Sequence, residues 1–314
     1  MAAKTSQGRP WRKARALSPG DSVAVIAPSG PVPASRLAPG LAVLGERYRV
    51  VLSEGLLQQR GFLAGDDGRR LAELRWALSD PQIHAVFCAR GGHGALRLLS
   101  PLLAVSADEL PQRPLVGFSD VTVLHALLAL HQRVTVHGPV ITQLAELAVD
   151  DRETLWLLLE STQPPPPVTG LVALSGHLRS VRGRLLGGNL EVLSRLCGTP
   201  LQSAMIESGP VVLLVEEVTE APYRIDRALT HLRQAGALDR VVAAVVGDLQ
   251  RCEGPEEHPS AIEVIGERLG SAGIPVLAGV PLGHGVRNRA VPLGVEVHVS
   301  PRHGSLEFLE AAVE

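Results

Sequence analysis

The chain is poor in aromatic residues and carries almost no net charge. Aromatic side chains make up 3% of its 314 residues, too few for the stacking surfaces on which single-stranded nucleic acids bind. The formal net charge is −2 at pH 7, so the chain lacks the basic field that attracts nucleic acid or an anionic membrane. We therefore expect neither a nucleic-acid partner nor a membrane partner.

Cysteines and long apolar segments are also scarce. The three cysteines, Cys88, Cys197 and Cys252, are widely spaced and form no Cys-x-x-Cys pair, which excludes a disulfide framework and a zinc ribbon. The sequence has no His-Glu-x-x-His motif and no EF-hand loop, so we expect no metal and no cofactor. The polar segment 1–19 does not resemble a secretory signal, and no run of about 18 apolar residues follows it. We expect a cytoplasmic protein.

Short apolar runs alternate with segments of helical periodicity, which is the pattern of an α/β protein. Strands are predicted at residues 22–27, 49–52, 84–88, 114–117, 134–136, 181–185, 210–215, 241–246 and 276–278, with further β character over 291–299. Helices are predicted at residues 34–47, 69–78, 95–103, 120–130, 190–196, 225–234 and 261–269, and a turn at 187–189.

The segment 163–168 contains four consecutive prolines, which fit neither a helix nor a central strand and therefore indicate a linker. The expected organisation is a flexible arm at residues 1–18, an α/β domain at 19–150, a linker at 151–180 and a second α/β domain at 181–314.

The segment Gly117-Phe118-Ser119-Asp120 connects a predicted buried strand to a predicted helix. A tight turn there raises the hydroxyl of Ser119 above the sheet edge, beside the first free N–H groups of the helix. A tetrahedral oxyanion would be stabilised at that position. Alternatively, Ser119 or Asp120 only caps the helix. The hydrolase motif G-x-S-x-G is incomplete, because Val121 replaces its second glycine.

A serine nucleophile needs a base and an acid that orients the base. The apolar run 211–217 ends in Glu216 and Glu217, and sites in open α/β sheets lie at the carboxyl ends of strands. Glu216 is therefore the candidate acid, unless both carboxylates only mark the exit of the strand into solvent. His284, between two glycines, is the candidate base. The rival histidines are His93, His125 and His137.

The segment 90–94, Arg-Gly-Gly-His-Gly, follows a strand and precedes a helix. Its backbone N–H groups could cradle a phosphate, although it matches neither a P-loop nor a dinucleotide fingerprint. Gly91 or Gly92 could equally donate a second hydrogen bond to an oxyanion. Both interpretations fit the residues.

Eight segments, taken in order, are more specific together than any single motif. They are VAVIAPSG at 23–30, FLAGDDGRR at 62–70, FCARGGHGALRLL at 87–99, VGFSDVTVLH at 116–125, HGP at 137–139, LLGGNLEVLSRLCGTP at 185–200, LLVEEVTEAPYRIDRALTHLRQAG at 213–236 and PLGHG at 281–285. With these segments the chain resembles the LD-carboxypeptidases, the family of murein tetrapeptide carboxypeptidases and microcin C resistance peptidases.

The resemblance implies an N-terminal flavodoxin-like α/β domain, a smaller C-terminal α/β domain and an active site between them. It assigns the nucleophile to Ser119, the acid to Glu216 rather than Glu217, and the base to His284. The oxyanion hole would consist of the backbone N–H groups of Gly92 and Asp120. The candidate substrate contacts are Arg90, His93, Asn189 and Arg224, with Arg227 as a further candidate.

The family usually has tyrosine where this chain has His93, so the substrate contact there is expected to differ. The implied activity is removal of the terminal D-alanine from muropeptide tetrapeptides during cell-wall recycling, without a cofactor. The alternatives are an immunity peptidase that cleaves a microcin C-like aminoacyl-nucleotide, and a non-catalytic nucleotide or sugar-phosphate binding protein. Family members often dimerise, so a homodimer is one expected assembly.

Overall fold

The structure is a computed structural model that describes residues 10–104 and 112–314. The strands are β1 (Ser22–Ile26), β2 (Arg49–Leu52), β3 (Ala85–Cys88), β4 (Leu115–Gly117), β5 (Thr135–His137), β6 (Val172–Ala173), β7 (Val181–Asn189), β8 (Val211–Val218), β9 (Val241–Gln250), β10 (Val276–Ala278), β11 (Val291–Leu293), β12 (Glu296–Ser300) and β13 (Ser305–Phe308).

The helices lie between these strands. They are α1 (Ala34–Gly45), α2 (Asp67–Ser79), α3 (Leu99–Leu103), α4 (Thr122–Leu130), α5 (Ile141–Leu144), α6 (Val149–Glu160), α7 (Leu190–Arg195), α8 (Gln202–Glu207), α9 (Pro222–Gln234) and α10 (Ala261–Gly270), with 3₁₀ turns at Ala95–Leu98 and Ser119–Val121. None of the described helices is long and apolar enough to cross a bilayer.

The first sheet has the strand order β11-β5-β4-β3-β1-β2. Strands β1 to β5 pair in parallel, whereas β11 pairs antiparallel with β5. The order 2-1-3-4-5 is that of flavodoxin-like folds, so the predicted flavodoxin-like sheet is confirmed. Strand β1 is buried on both faces: Ala24 and Ile26 contribute to one apolar core, Val23 and Val25 to the other.

The second sheet has the strand order β13-β12-β7-β8-β9-β10-β6. Its central strands β7, β8, β9 and β10 are parallel, and antiparallel strands form both edges. The chain is therefore a mixed α/β protein with two sheets, as predicted. Strand β11 comes from the C-terminal part of the chain but completes the first sheet, which ties the two units together.

The predicted flexible arm differs from the structure at residues 10–18. Arg12 N donates to Gln132 O and Ala16 N to Glu314 O, both at 2.8 Å. Ala14 and Leu17 are buried, so apolar contacts and backbone hydrogen bonds fix this part of the arm. Residues 1–9 of the arm lie outside the described residues.

The predicted linker and the predicted turn also differ from the structure. Helix α6 occupies residues 149–160, and its apolar residues are crowded into its second half, so the segment lacks a clear helical period. Residues 187–189 continue β7 instead of turning. Glycine is needed there because a Cβ on Gly187 would collide with the backbone of Leu214 in the neighbouring strand β8.

Candidate active site

Ser119 occupies a strained turn between β4 and α4. Its φ is +67°, a left-handed value that is uncommon for residues other than glycine and is often found at functional sites. A Cβ on Gly117, two residues earlier, would lie 3.0 Å from Val121 Cγ1, so the turn leaves little room for a side chain at that point. The predicted strand–turn–helix arrangement around Ser119 is present.

The glycine loop at 90–94 lies directly against Ser119. A Cβ on Gly91 would lie 2.9 Å from Ser119 Cβ and 3.0 Å from its Oγ. Gly92 has a φ of +111°, and its N–H donates to no acceptor within residues 10–104 and 112–314. The loop is anchored where Gly30 N donates to Gly91 O at 3.0 Å. Gly92 therefore has an uncommitted donor close to the serine.

The helix-capping alternative for Ser119 and Asp120 is not supported. The Ser119 hydroxyl makes no hydrogen bond with any described residue. Asp120 is buried, and its Oδ2 accepts from Ala95 N at 2.8 Å, so this carboxylate caps the 3₁₀ turn after the glycine loop instead of its own helix. Burial raises the pKa of Asp120 above its ordinary value.

Helix α2 supports the glycine loop indirectly, through the segment that follows β1. The fully buried Arg70 donates to Pro28 O at 2.6 Å, and Arg69 donates to Ala27 O at 3.3 Å. Glu73 accepts from Ala27 N at 2.8 Å. These three side chains hold the segment after β1, which in turn holds Gly91 through Gly30. The FLAGDDGRR segment is thus explained by its contacts near the serine.

Glu216 and His284 form a hydrogen-bonded pair. Glu216 is fully buried in β8, and its Oε2 lies 2.7 Å from His284 Nδ1. The register between β8 and β9 shifts between Val215 and Glu217; such irregularities redirect side chains near active sites. A Cβ on Gly283 would lie 3.4 Å from Glu216 Oε2, so the loop carrying the histidine lies close to the carboxylate.

Phe118 brings the histidine to the serine segment. Its ring centroid lies 4.7 Å from that of His284, and Ser119 is the next residue along the chain. The Ser119 hydroxyl and the imidazole are not hydrogen-bonded in this conformation. Catalytic hydrogen bonds are often long without substrate and tighten in the Michaelis complex. All three predicted residues therefore lie in one region of the molecule.

Two of the rival histidines are buried and inaccessible. His125 contacts Thr135 Oγ1 and Gly117 O, both at 2.9 Å, and burial lowers its pKa to about 4. His137 stacks on His125 with a centroid distance of 6.2 Å, and burial lowers its pKa to about 3. The third rival, His93, is exposed and its ring contacts Phe62.

The candidate substrate contacts lie on different elements: Arg90 follows β3, Asn189 ends β7 and Arg224 lies on α9. Arg90 donates to Pro31 O at 2.7 Å. Asn189 is buried, donates to Glu217 Oε1 at 2.9 Å and caps α7 through Val192 N. Arg224 is exposed on α9 and bonds to its neighbours Tyr223 and Glu220; Arg227 lies over the same Tyr223 ring, with its guanidinium carbon 5.5 Å from the centroid.

Several residues near the site had no signal in the sequence. The sequence assigns no role to Phe118, which contacts His284, or to Thr122, whose Oγ1 accepts from Asn189 N at 3.0 Å. Asp151 contacts the His284 loop from a segment predicted to be a linker, and Asn288 belongs to that loop, for which no element is predicted. A long-range contact leaves no local pattern, so only the fold reveals these residues.

Comparison with known proteins shows the family to which the chain belongs. Residues 23–138 match the LD-carboxypeptidase N-terminal domain, and residues 182–299 match the LD-carboxypeptidase C-terminal domain. The murein tetrapeptide carboxypeptidase of Pseudomonas aeruginosa is 33% identical over 290 residues, with 87% of this chain and 91% of that protein covered. The probable murein peptide carboxypeptidase of Bacillus subtilis is 34% identical over 302 residues, with 90% of each covered.

Solved structures resemble the whole chain. The muramoyltetrapeptide carboxypeptidase from Oxalobacter formigenes has a TM-score of 0.77 at 28% identity, covering 91% of this chain and 97% of that one. The microcin C7 self immunity protein MccF, in complex with aspartyl sulfamoyl adenosine, has a TM-score of 0.84 at 21% identity, covering 96% and 100%. At that identity the second likeness concerns the fold alone.

Fold and site together define a serine-type hydrolase built from two α/β units. Within this class, the family follows from two findings: both domains match, and the sequence identity to carboxypeptidases extends over most of the chain. The chain belongs to the LD-carboxypeptidase family and is a carboxypeptidase.

Proposed function

We propose that this carboxypeptidase removes the terminal D-alanine from muropeptide tetrapeptides in the cytoplasm, as a step of cell-wall recycling. The bond it cleaves joins an L-configured centre to D-alanine. The observation that carries the proposal is the Glu216–His284 hydrogen bond of 2.7 Å beside the strained Ser119. The named murein tetrapeptide relative, which is 33% identical, supports the substrate class.

In the proposed mechanism, His284 Nε2 takes the proton from the Ser119 hydroxyl, and Ser119 Oγ attacks the scissile carbonyl carbon. The N–H groups of Gly92 and Asp120 stabilise the oxyanion of the tetrahedral intermediate. The C–N bond then breaks, His284 returns the proton to the amine, and D-alanine leaves. His284 then takes a proton from water, the resulting hydroxide attacks the acyl carbon, and the C–O bond to Ser119 breaks as His284 returns the proton to Ser119 Oγ. Glu216 orients the ring and stabilises its cationic form throughout.

Recognition of the free C-terminal carboxylate is assigned to an arginine, because a guanidinium binds a carboxylate through two parallel hydrogen bonds. Arg90 is the proposed partner, because it follows β3 at the start of the glycine loop that lies against Ser119. Arg224 and Arg227 lie on α9 beyond Glu217 and are assigned to the more distant part of the peptide, together with Asn189. His93 lies at the exposed rim of the same loop.

Product analysis on a defined tetrapeptide tests the proposed function. The wild-type protein should release D-alanine from a tetrapeptide ending in D-alanine and release little or no alanine from the matched peptide ending in L-alanine. An aminoacyl-sulfamoyl nucleotide is assayed in parallel. Cleavage of the nucleotide conjugate with no release of D-alanine would overturn the murein assignment and favour the immunity-peptidase alternative.

A further inference from the structure

The loop between β10 and β11, which carries His284, is held by helices of the first unit as well as by Glu216 of the second. We propose that Asp151, Arg287 and Asn288 form a clamp that positions His284 relative to Ser119. This proposal rests on the proposed function, since it assigns these residues to the proper placement of the catalytic base.

Asp151 in the first turn of α6 is the anchor of the clamp. It is fully buried, and its two oxygens accept from Arg287 Nε and Nη2, both at 2.8 Å. Oδ2 also accepts from the backbone N of Asn288 at 3.2 Å. A bidentate guanidinium–carboxylate pair fixes orientation as well as distance, so the loop is docked on α6 in a single geometry.

Asn288 transmits that docking to the residue before the histidine. Its side chain is fully buried; its Oδ1 accepts from Gly283 N at 3.2 Å, and its Nδ2 donates to Gln143 Oε1 at 2.8 Å. Gln143 belongs to α5, so both helices that follow β5 contribute. The amide thus connects the backbone next to His284 with the unit that carries Ser119.

Glu216 and the clamp hold the histidine loop with different consequences. Glu216 orients the imidazole from the second sheet, whereas the clamp sets where that imidazole stands relative to the serine of the first sheet. A displacement of the base by about 1 Å can lower turnover roughly a hundredfold. Loss of the clamp should therefore reduce kcat, while the other contacts that bind the substrate are retained.

The test compares Asp151→Asn with Arg47→Ala. The control breaks the ion pair between Arg47 and Glu160 at the opposite end of the same helix α6, far along the chain from the His284 loop. Asp151→Asn should lower kcat on the tetrapeptide by about 10- to 100-fold with KM changed less than threefold. Arg47→Ala should keep kcat within twofold, even if it lowers the melting temperature as much as Asp151→Asn does.

A second readout separates failure of the clamp from failure of the proposed function. Labelling of Ser119 by a fluorophosphonate depends on the base but not on the peptide, so its rate should fall in Asp151→Asn by a similar factor. Arg287→Lys keeps the charge but loses the bidentate geometry, so its kcat and its labelling rate should lie between those of wild type and Asp151→Asn. If Asp151→Asn does not fold, Arg287→Lys serves as the test of the clamp. If a folded clamp variant kept the wild-type labelling rate and the wild-type kcat, the proposal that the clamp positions His284 would be wrong. This conclusion would hold for any substrate of the enzyme.

Discussion

At the scale of single residues, the serine and the glycine loop leave no space between them. A Cβ on Gly91 would lie 2.9 Å from Ser119 Cβ, well inside the optimal separation of about 3.5–4.0 Å between carbon atoms. Ser119 itself holds a φ of +67°, a strained conformation that persists only because the surrounding structure holds it in place. The backbone donors and the hydroxyl are therefore held together by direct contact.

A methyl group at Gly91 should consequently disturb the proposed oxyanion hole. We expect Gly91→Ala to lower kcat by about 10²- to 10³-fold, the range found when one oxyanion donor is lost. The matched control is Gly45→Ala at the exposed end of α1, where nothing lies within 4 Å of the added carbon. That control should keep full activity and gain up to about 1 kcal/mol of stability. Full activity of Gly91→Ala in steady-state kinetics would contradict the described contact.

At the scale of elements, β8 places two neighbouring carboxylates in different surroundings. Glu216 faces the histidine loop, whereas Glu217 accepts from Asn189 Nδ2, Glu191 N and Val218 N at 2.8–2.9 Å. Burial nevertheless raises the pKa of Glu217 to about 7, and the charge of Glu216 adds to the effect. The fold therefore favours the protonated form of Glu217 below neutral pH.

The pH dependence of stability should reveal this carboxyl. Its folded pKa, about 7, lies above the ordinary value of 4.5, so its contribution is largest at low pH and is lost as pH rises between those values. The free energy of unfolding should fall by about 1–3 kcal/mol from this group between pH 5 and pH 8. Glu217→Gln should lack that slope in urea titrations. A slope identical to wild type would show that Glu217 titrates normally.

The sequence predicts most of these elements but not all of their boundaries. Strands β1 to β4 are short, mostly apolar runs, and their predicted positions agree with the structure to within one or two residues. Gly187 and Gly188 resemble a turn because glycine pairs usually mark one, although here close packing against Leu214 and Thr122 requires them within a strand. Helix α6 was missed because its apolar residues follow no clear helical period.

At the scale of the whole molecule, the candidate site is shared between the two units. Ser119 follows a strand of the first sheet and Glu216 lies in the second, while the segment with His284 leads from one sheet to the other. The chemistry of these residues is predicted from residue types, order and resemblance. Their convergence depends on the antiparallel pairing of β11 with β5 and on the Asp151–Arg287 contact, which are long-range and leave no local pattern.

The central claim is that Ser119 and His284, with Glu216, act as one unit, and a double-mutant comparison tests it most directly. kcat on the D-alanine tetrapeptide is measured for Ser119→Ala, His284→Ala and the double variant. Each single change should lower kcat by about 10⁴-fold or more, and the double variant should be no worse than either, as expected for residues that work together. Near-normal activity of Ser119→Ala, or losses that multiply in the double variant, would contradict the account.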